Sequence, residues 1–316
     1  MTKDDCGGAG ETLALSALSH CMICPRRCGV DRLAGERGYC GAGRLARVAL
    51  ASLHPWEEPC ISGERGAGTV FFSCCSLRCV FCQNAEISGA GGGLDVTEER
   101  LAEIFMERQA CGAETLDLVT PTHYAPQILA ALRRARANGL SLPVVWNSGG
   151  YEMTETIRAV AKDVDVFLPD LKYIDEESAD RYSGARDYFA FAAPALDAMV
   201  EAVGAPVLDG RGILRRGVLV RHLVLPGHRR ESMRLLDWLW ARYGEGVLLS
   251  LMRQYTPLGR AAEYPEINRT LTTFEYESVT AHALDLGIRR CYVQEKAAAD
   301  PAFVPRFDGS GVLARD

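Results

Sequence analysis

The chain has 316 residues, of which 48% are hydrophobic and 24% are charged, an ordinary globular composition. This length suits one large α/β domain with an appendage or two modest domains, and it excludes wholesale disorder, collagen-like repeats and a coiled-coil rod. The net charge is −6, from 35 basic and 41 acidic residues. Because proteins that bind nucleic acid phosphates are usually basic, we expect no nucleic acid partner.

The sequence shows no signal for export or membrane insertion. Lys3, Asp4 and Asp5 are followed by Gly-rich sequence, where a signal peptide would have an apolar run. No stretch of about 18 uncharged apolar residues occurs, so we expect a cytoplasmic protein with no membrane partner. Twelve cysteines in such a protein indicate metal or redox chemistry rather than a disulfide framework.

Three regions are predicted: a Cys-rich N-terminal module (1–65) with a flexible start over residues 1–11, a core (66–295) and a C-terminal tail (296–316). In the core, short apolar runs alternate with longer amphipathic stretches. The predicted strands are Thr69–Phe72, Leu116–Thr120, Val144–Trp146, Val164–Leu168, Val218–Leu225 and Val247–Met252, with a short final run at Arg290–Gln294. The predicted helices are Val96–Ala110, Pro126–Ala137, Met153–Ala161, Ala193–Val203, Arg230–Tyr243 and Phe274–Leu286.

This alternation predicts a parallel sheet, because parallel strands need crossover connections. The order of elements alone leaves two architectures open, an open doubly wound sheet and an incomplete barrel. In both of them, functional groups gather at the carboxyl ends of the strands. Polar and small residues follow nearly every predicted strand, although ordinary turns would explain much of that pattern.

Cysteines spaced as C-x3-C-x2-C follow the first strand of the core: Cys75, Cys79 and Cys82. Three thiolates on one loop would hold three irons of a [4Fe–4S] cluster and leave the fourth iron free for another ligand. The alternatives are a zinc site completed by a distant His and buried cysteines without a ligand. Because a structural zinc site normally closes with four ligands, the iron–sulfur interpretation is favoured.

With an aromatic residue before its last cysteine, this motif resembles that of the radical S-adenosylmethionine (SAM) superfamily. Other segments resemble the branch of that superfamily that is similar to pyruvate formate-lyase-activating enzyme. These segments are Glu57–Gly63, Gly68–Phe72, Cys79–Asn84, Val119–Tyr124, Leu168–Tyr173 and Arg221–Gly227. The resemblance covers roughly residues 20–295, and its motifs are specific for the chemistry but not for the substrate.

The resemblance implies an α/β fold, a partial (β/α)6 TIM-like barrel, with Cys75, Cys79 and Cys82 as cluster ligands. SAM would bind the open iron. One electron from an external donor, of the flavodoxin or ferredoxin type, would cleave it to methionine and a 5′-deoxyadenosyl radical. That radical would abstract hydrogen from a protein or peptide, and could install a glycyl radical on a partner. The alternatives are modification of a small molecule, and a non-catalytic iron–sulfur or zinc protein that acts as a sensor or electron carrier.

Five residues near the motif and the ends of strands three and four are candidates for binding SAM. By resemblance, Phe81 in the cysteine motif contacts the cofactor. Asn147 and Ser148 end the third predicted strand and would bind ribose hydroxyls. Asp170 and Lys172 follow the fourth strand on the same side of an extended segment. They match an Asp-x-Lys pattern of the activating enzymes, although a simple ion pair that closes the barrel is the alternative.

Two later strands supply further candidates. Only one of Arg221 and His222 can face inward, because side chains alternate along a strand. Arg221 is expected inside, where its guanidinium would bind the SAM carboxylate in a bidentate manner, and a surface charge is the alternative. Gln254 and Tyr255, at the end of the sixth strand, would contact adenine or substrate.

The chain also departs from the family pattern. The Gly-Gly-Glu of the superfamily is missing after the second strand, where Thr120–His123 stands instead, so the groups that hold the SAM amino group are undetermined. A Gly149-Gly150 pair with Glu152 nearby follows the third strand. His123 and Tyr124 are expected to face substrate or to form an exposed turn. Cys74, where the branch usually has Gly, is interpreted as a packed small thiol.

A second set of cysteines lies in the N-terminal module: Cys21, Cys24, Cys28 and Cys40. Nearby Pro and Gly residues suit the tight turns of a metal knuckle. Two alternatives stay open, a closed zinc site that folds a segment without a core and an auxiliary iron–sulfur cluster. Unliganded, partly liganded or oxidised cysteines are the third possibility, and Cys60 could replace one ligand.

Overall fold

The structure is a computed structural model that describes residues 13–89, 91–295 and 305–314. The predicted flexible start and most of the first half of the predicted tail lie outside the described residues. Within them, no helix is long and apolar enough to cross a membrane.

The described residues build one ten-stranded sheet in the order β10-β9-β8-β6-β5-β4-β2-β1-β3, with β7 paired to β8. The strands are β1 (Ala46–His54), β2 (Ala67–Phe72), β3 (Leu94–Val96), β4 (Leu116–Val119), β5 (Val144–Ser148), β6 (Val166–Pro169), β7 (Val207–Leu208), β8 (Leu214–Leu223), β9 (Leu248–Met252) and β10 (Cys291–Val293). The α-helices are α1 (Pro59–Ser62), α2 (Ala85–Ser88), α3 (Glu98–Ala110), α4 (Ala125–Ala137), α5 (Thr154–Val160), α6 (Glu176–Ser183), α7 (Tyr188–Val203), α8 (Arg229–Tyr243) and α9 (Thr273–Asp285).

The strands from β2 to β10 along this order are parallel, whereas β1 and β3 are antiparallel additions at the β2 edge. Helices follow the parallel strands, as right-handed crossovers require. Since β3 and β10 are opposite ends of the strand order, the sheet stays open between them. The structure therefore has the predicted α/β class and the partial barrel that the resemblance implies.

Sequence patterns missed six elements and misplaced one helix start; the missed elements are β1, β3, β7, α1, α2 and α6. β1 lies in the segment interpreted as irregular because it is rich in Cys and Gly, yet its continuous apolar run is paired along β2. α7 begins at Tyr188, before the predicted Ala193, because Pro194 lies inside the helix rather than at its start. Residues of the predicted tail also pack on this edge, where the amide of Gly309 donates to the Ala49 carbonyl at 3.0 Å.

The interior of the barrel has two layers. Around the amino ends of the strands, a hydrophobic layer is closed by α1; its members include Ile61, Val145, Val166, Leu219 and Leu248. Nearer the carboxyl ends, the inward positions become polar, because alternation along the same strands brings Asp117, Asn147, Asp170 and Arg221 to the interior. The polar layer is the part of the fold on which a site can be built.

The backbone at the end of β5 passes very close to the end of β6 at Gly150. Its φ is +77°, and a Cβ built there would lie 2.0 Å from the Asp170 carbonyl oxygen. Gly139 is a matched control, with φ +94° and no atom within 4 Å of its built Cβ. We expect Gly139→Ala to lower the free energy of unfolding by about 1–2 kcal/mol through backbone strain. Gly150→Ala should lower it by about 1–3 kcal/mol more, because the Asp170 backbone must move. Urea unfolding measures both, and equal losses would contradict the close approach.

Candidate functional site

The three cysteines of the core motif lie on the loop between β2 and α2. Backbone hydrogen bonds tie this loop to α6: Arg78 donates to the Ser183 carbonyl at 3.1 Å and Val80 donates to the Tyr182 carbonyl at 2.9 Å. The loop therefore has an external support that holds the thiols at the carboxyl end of the barrel.

Each sulfur of this loop receives a hydrogen bond. The Leu77 amide donates to Cys75 Sγ at 3.4 Å, the Ser183 hydroxyl donates to Cys79 Sγ at 3.0 Å, and the Asn84 amide donates to Cys82. Burial, with the neighbouring Cys79 thiol, raises the pKa of Cys75 to about 12 and that of Cys82 to about 11. In a cluster, iron would take the place of those protons and the donors would stabilise the thiolates. Three thiols on one loop with these donors fit three-thiolate ligation of a [4Fe–4S] cluster.

Cys74 adopts φ +74° and is buried against Tyr124, whose hydroxyl lies 3.7 Å from its sulfur. It is the packed small thiol that the sequence predicted. The left-handed backbone also explains the glycine that the branch usually has here, because glycine adopts positive φ without strain.

Asp170 and Lys172 form an ion pair of 2.6 Å between Lys172 Nζ and Asp170 Oδ2. Both point to the same side, and Leu171 between them is buried elsewhere, as the spacing predicts. Opposite charge on Asp170, with a further contribution from Cys79, raises the pKa of Lys172 against the opposing effect of burial. Lys172 therefore carries its charge beside the cysteine loop.

Arg221 faces the barrel interior, whereas His222 points to α8 and lies 2.9 Å from the Ser232 hydroxyl. The guanidinium of Arg221 has an internal acceptor at each nitrogen: Asp170 at 2.9 Å, Glu57 at 2.8 Å and Asn147 at 2.6 Å. Alternation thus predicted the orientation correctly. The three protein acceptors of the guanidinium, one at each nitrogen, were not predicted.

Carboxylates outnumber cations in this layer. Glu57 and Asp117 both accept from the Asn147 amide, at 3.1 and 3.4 Å. Burial, together with the charge of Glu57, raises the pKa of Asp117 well above its usual range, and burial raises the pKa of Glu58 to about 7. Glu57 and Glu58 come from the segment between β1 and α1, and only the resemblance of Glu57–Gly63 hinted at them.

Tyr188, at the start of α7, fixes the ends of two strands. Its hydroxyl lies 3.0 Å from the Gly149 carbonyl and 2.8 Å from the Asp170 carbonyl, and it accepts from the Lys172 amide at 3.0 Å. The sequence offered no signal for this role, because Tyr188 reaches the site only through the packing of α7.

A cavity of about 450 Å³ joins the cysteine loop to the polar layer. Six of the predicted site residues line it: Phe81, Cys82, Asn147, Asp170, Arg221 and Gln254. Gln254 accepts from Gln294 at 3.0 Å through its side-chain oxygen. Tyr255 is instead buried, with its hydroxyl bonded to the Ile267 carbonyl at 2.7 Å.

Ser148 does not reach this cavity. Asn147 points inward, so its neighbour in the strand points outward, where the Ser148 hydroxyl accepts from the Gly150 amide at 3.3 Å. The geometry does not support ribose binding by Ser148.

Three residues after β4 and β5 are buried on that outer side. His123 is 2% exposed, its ring nitrogen lies 2.9 Å from the Ser73 carbonyl, and burial lowers its pKa to about 3. Tyr124 packs beside it, so neither residue forms an exposed turn or faces the cavity. Glu152 accepts from the Thr122 hydroxyl at 2.6 Å, and burial raises its pKa to about 7.

The N-terminal cysteines gather between residues 21 and 45, a segment without helix or strand. Cys21, Cys24 and Cys40 are buried and Cys28 is half-buried. Cys60 is not among them, because it packs in the hydrophobic layer with α1. In the described part of the chain, no three His, Cys, Asp or Glu side chains converge as ligands of a single metal ion.

Comparison with known proteins identifies the class. The family model of the radical SAM superfamily matches residues 69–239, more than half of the chain. The chain therefore belongs to the radical SAM superfamily, whose members bind a [4Fe–4S] cluster and SAM.

The individual proteins that resemble this chain share 28% or less of its sequence. The uncharacterized protein MJ0674 of Methanocaldococcus jannaschii is 28% identical over 277 residues, covering 84% of this chain and 74% of that protein. Among solved structures, Streptococcus suis SuiB bound to precursor peptide SuiA has a TM-score of 0.47 and 12% identity over 70% of this chain. HydG, a maturase of the [FeFe]-hydrogenase, has a TM-score of 0.48 and 13% identity over 75% of this chain. The match spans 46% of the SuiB chain and 52% of the HydG chain.

The buried Glu152 predicts a pH dependence of stability. Its folded-state pKa of about 7 lies above its usual value of 4.5, so the folded chain keeps a proton that the unfolded chain loses as the pH rises. The free energy of unfolding should therefore fall between about pH 4.5 and 7, by roughly 3 kcal/mol from this residue. Glu152→Gln should remove that part of the decline, whereas the exposed control Glu103→Gln should not. Urea unfolding of the metal-free protein across this pH range measures the effect, and parallel curves for all three proteins would refute it.

Proposed function

We propose that this chain is a radical SAM enzyme of the branch similar to pyruvate formate-lyase-activating enzyme, and that it abstracts hydrogen from a protein or peptide substrate. The observation that supports this proposal best is the cavity shared by the cysteine loop and the polar layer, since Cys82, Asp170 and Arg221 all line it. A sensor or electron carrier would need the cysteines but not these strand-end groups.

Cys75, Cys79 and Cys82 are the proposed iron ligands. When bound, the cluster and SAM supply one-electron cleavage of SAM to methionine and a 5′-deoxyadenosyl radical, with the electron delivered by an external flavodoxin- or ferredoxin-type donor. The chain's own contribution is to orient these groups and to keep water from the radical.

Lys172 is the proposed partner of the SAM carboxylate. In the described part of the chain, the only hydrogen-bond acceptor of its ammonium is Asp170, so two of its three N–H donors remain for a ligand. Arg221 instead uses three of its five N–H groups, one at each nitrogen, on protein acceptors that fix the guanidinium among them. We therefore propose that Arg221 positions Asp170 and Asn147, and that it does not bind the carboxylate itself as the sequence suggested.

Three residues that line the cavity, Phe81, Gln254 and Asn147, suit the adenosine part of SAM. Phe81 presents an aromatic surface that packs against Tyr255, with ring centroids 5.7 Å apart. The Gln254 side-chain nitrogen is available to a base or a hydroxyl, because Gln294 occupies only its oxygen. The Asn147 amide sits among carboxylates that fix its orientation.

A protein or peptide substrate is favoured by the size and opening of the site. The volume of about 450 Å³ is at the scale of one cofactor-sized molecule. With SAM inside, a substrate has room for only a small reacting group, and the rest of it must stay outside. Among the described residues the sheet is open between β3 and β10, and an approach from that side suits a peptide loop such as a glycyl-radical site better than a compact metabolite.

We propose that the chain has the three functional regions predicted from the sequence. These are the Cys-rich module (1–65), the core (66–295) and the tail (296–316). The first part contributes β1 to the sheet and Glu57 to the polar layer.

The first test is the product of SAM cleavage. After anaerobic reconstitution with iron and sulfide, addition of dithionite and SAM should yield 5′-deoxyadenosine from the wild type and from Cys111→Ala, an exposed cysteine control. Cys79→Ala should lose at least about 100-fold in this product, because it lacks one of three cluster ligands. A cluster-loaded wild type that makes no 5′-deoxyadenosine, with or without added peptide, would contradict the proposed reaction.

A second test concerns the SAM carboxylate. Lys172→Ala should keep the iron content of the wild type but weaken SAM binding by about 10- to 100-fold, the loss expected for one charge-assisted hydrogen bond. Lys162→Ala, at an exposed position, should bind SAM as the wild type does. Equilibrium dialysis with labelled SAM gives both affinities. Equal affinities would remove Lys172 from the site without affecting the assignment of the cysteines.

A further inference from the structure

We propose that Cys21, Cys24, Cys28 and Cys40 hold a second [4Fe–4S] cluster in which all four irons are bound by protein thiolates. These cysteines precede the residues that the family model matches, and the proposal does not rest on the SAM reaction. Three observations support it: a buried cation, hydrogen bonds to the sulfurs that repeat those of the core motif, and the backbone of the segment.

The first observation is an uncompensated buried charge. Arg32 is 1% exposed, and its guanidinium donates to the Gly43 carbonyl at 2.7 Å and to the His123 carbonyl at 2.6 Å. It also donates to the sulfur of Cys21 at 3.8 Å and lies 5.6 Å from the centre of the Tyr124 ring. No carboxylate of the described residues pairs with it, although a buried cation without a counter-charge is strongly disfavoured. A thiolate-bound cluster beside Arg32 supplies the missing negative charge.

The second observation is that every sulfur of the set has a hydrogen-bond donor. Besides Arg32 at Cys21, the Tyr39 amide donates to Cys28 at 3.3 Å and the Ala42 amide to Cys40 at 3.5 Å. Cys24 accepts from the amide of Arg26. At Cys24 and Cys40 the donor is two residues further along the chain. The same spacing joins Cys75 to Leu77 and Cys82 to Asn84 in the core motif. Such donors stabilise thiolates bound to metal.

The third observation is the backbone of the segment. Arg27, Gly29 and Gly41 adopt φ of +43°, +67° and +81°, which turns the chain sharply around the thiols. A Cβ built on Gly38 would lie 2.7 Å from Cys28 Sγ, so only glycine leaves room for that sulfur. Segments without helix or strand that converge in this way commonly take their folding free energy from a bound metal.

The likeness to the core motif favours a cluster over zinc, which would also take four thiolates. At Cys24 and Cys40, as at Cys75 and Cys82, the amide two residues further along the chain donates to the sulfur. The N-terminal segment therefore presents its thiols with the same local geometry as the motif that fits a [4Fe–4S] cluster.

The two sets also pack against each other. Arg26, between Cys24 and Cys28, donates to the Ser76 carbonyl at 2.8 Å, and the Tyr39 carbonyl accepts from Arg78. The guanidinium of Arg26 lies 3.9 Å from the centre of the Tyr39 ring. The hydrogen bonds to Ser76 and from Arg78 join the N-terminal segment to the Cys75–Cys82 loop, so the second cluster would adjoin the first.

Metal content of the full-length protein tests the proposal. After anaerobic reconstitution, the wild type should hold about eight irons and eight sulfides per chain. The triple variant Cys75→Ala, Cys79→Ala, Cys82→Ala should keep about half of each. Its reduced cluster should give an EPR signal that SAM does not change, because no iron is open. Each thiol releases its proton to solvent as its sulfur binds iron.

The double variant Cys24→Ala, Cys28→Ala removes ligands of the second cluster instead of the first. It tests the proposal even if the triple variant does not fold. It should lose about half of the wild-type iron and keep the signal of the SAM-binding cluster. Cys111→Ala should hold as much iron as the wild type. About four irons in the wild type, or one zinc per chain that disappears in the double variant, would overturn the second cluster. Neither result would affect the assignment of Cys75, Cys79 and Cys82.

Discussion

The guanidinium of Arg221 is the interaction on which the polar interior of the barrel depends. It joins β8 to the end of β6 through Asp170, to β5 through Asn147, and to the segment before α1 through Glu57. Removing one partner from such a buried network typically costs about 3–5 kcal/mol, because the other charges lose their compensation. The same contacts orient Asp170, and Asp170 in turn fixes the ammonium of Lys172.

Burial limits the negative charge of this layer. Arg221 and Lys172 supply two positive charges beside the carboxyls of Glu57, Glu58, Asp117 and Asp170. Burial raises the pKa of Asp117 well above its usual range and that of Glu58 to about 7, and therefore opposes the ionisation of both. A SAM carboxylate that enters beside Lys172 would meet a cation rather than a surplus of negative charge.

The helices after β6 link the two halves of the site. Ser183 and Tyr182 in α6 hold the cysteine loop, and Tyr188 in α7 holds the ends of β5 and β6. One segment of chain therefore positions both the proposed iron ligands and Lys172. Because these groups must act on one small molecule together, their common support keeps their separation fixed.

Local rules explain which parts of this site could be predicted from the sequence. The cysteine motif could be predicted because its spacing involves only eight consecutive residues. The common side of Asp170 and Lys172 and the inward orientation of Arg221 could be predicted because side chains alternate between neighbouring residues of a strand. Alternation applied to Asn147 and Ser148 would also have excluded Ser148. Tyr188 could not be predicted, because it acts through tertiary packing over distances that no periodic pattern records. β1 was missed because the Gly and Cys content around it obscured an apolar run.

The other differences between the sequence prediction and the structure arise from burial, which the sequence did not reveal. His123 and Glu152 have polar side chains in segments that look like loops, yet both are almost completely buried. Arg32 was indistinguishable from the many other arginines until its burial beside Cys21 became visible. Charge and residue type mark candidate sites, but only the fold shows which of them water cannot reach.

The central claim is that Cys75, Cys79 and Cys82 leave one iron open for SAM. Electron–nuclear double resonance of the reduced protein, with SAM labelled by 15N at the amino group and 13C at the carboxylate, tests it directly. The account predicts hyperfine coupling to both labels in the wild type and no coupling when Cys79 is replaced by alanine. A saturating amount of bound SAM that shows no coupling to either label in the wild type would contradict it.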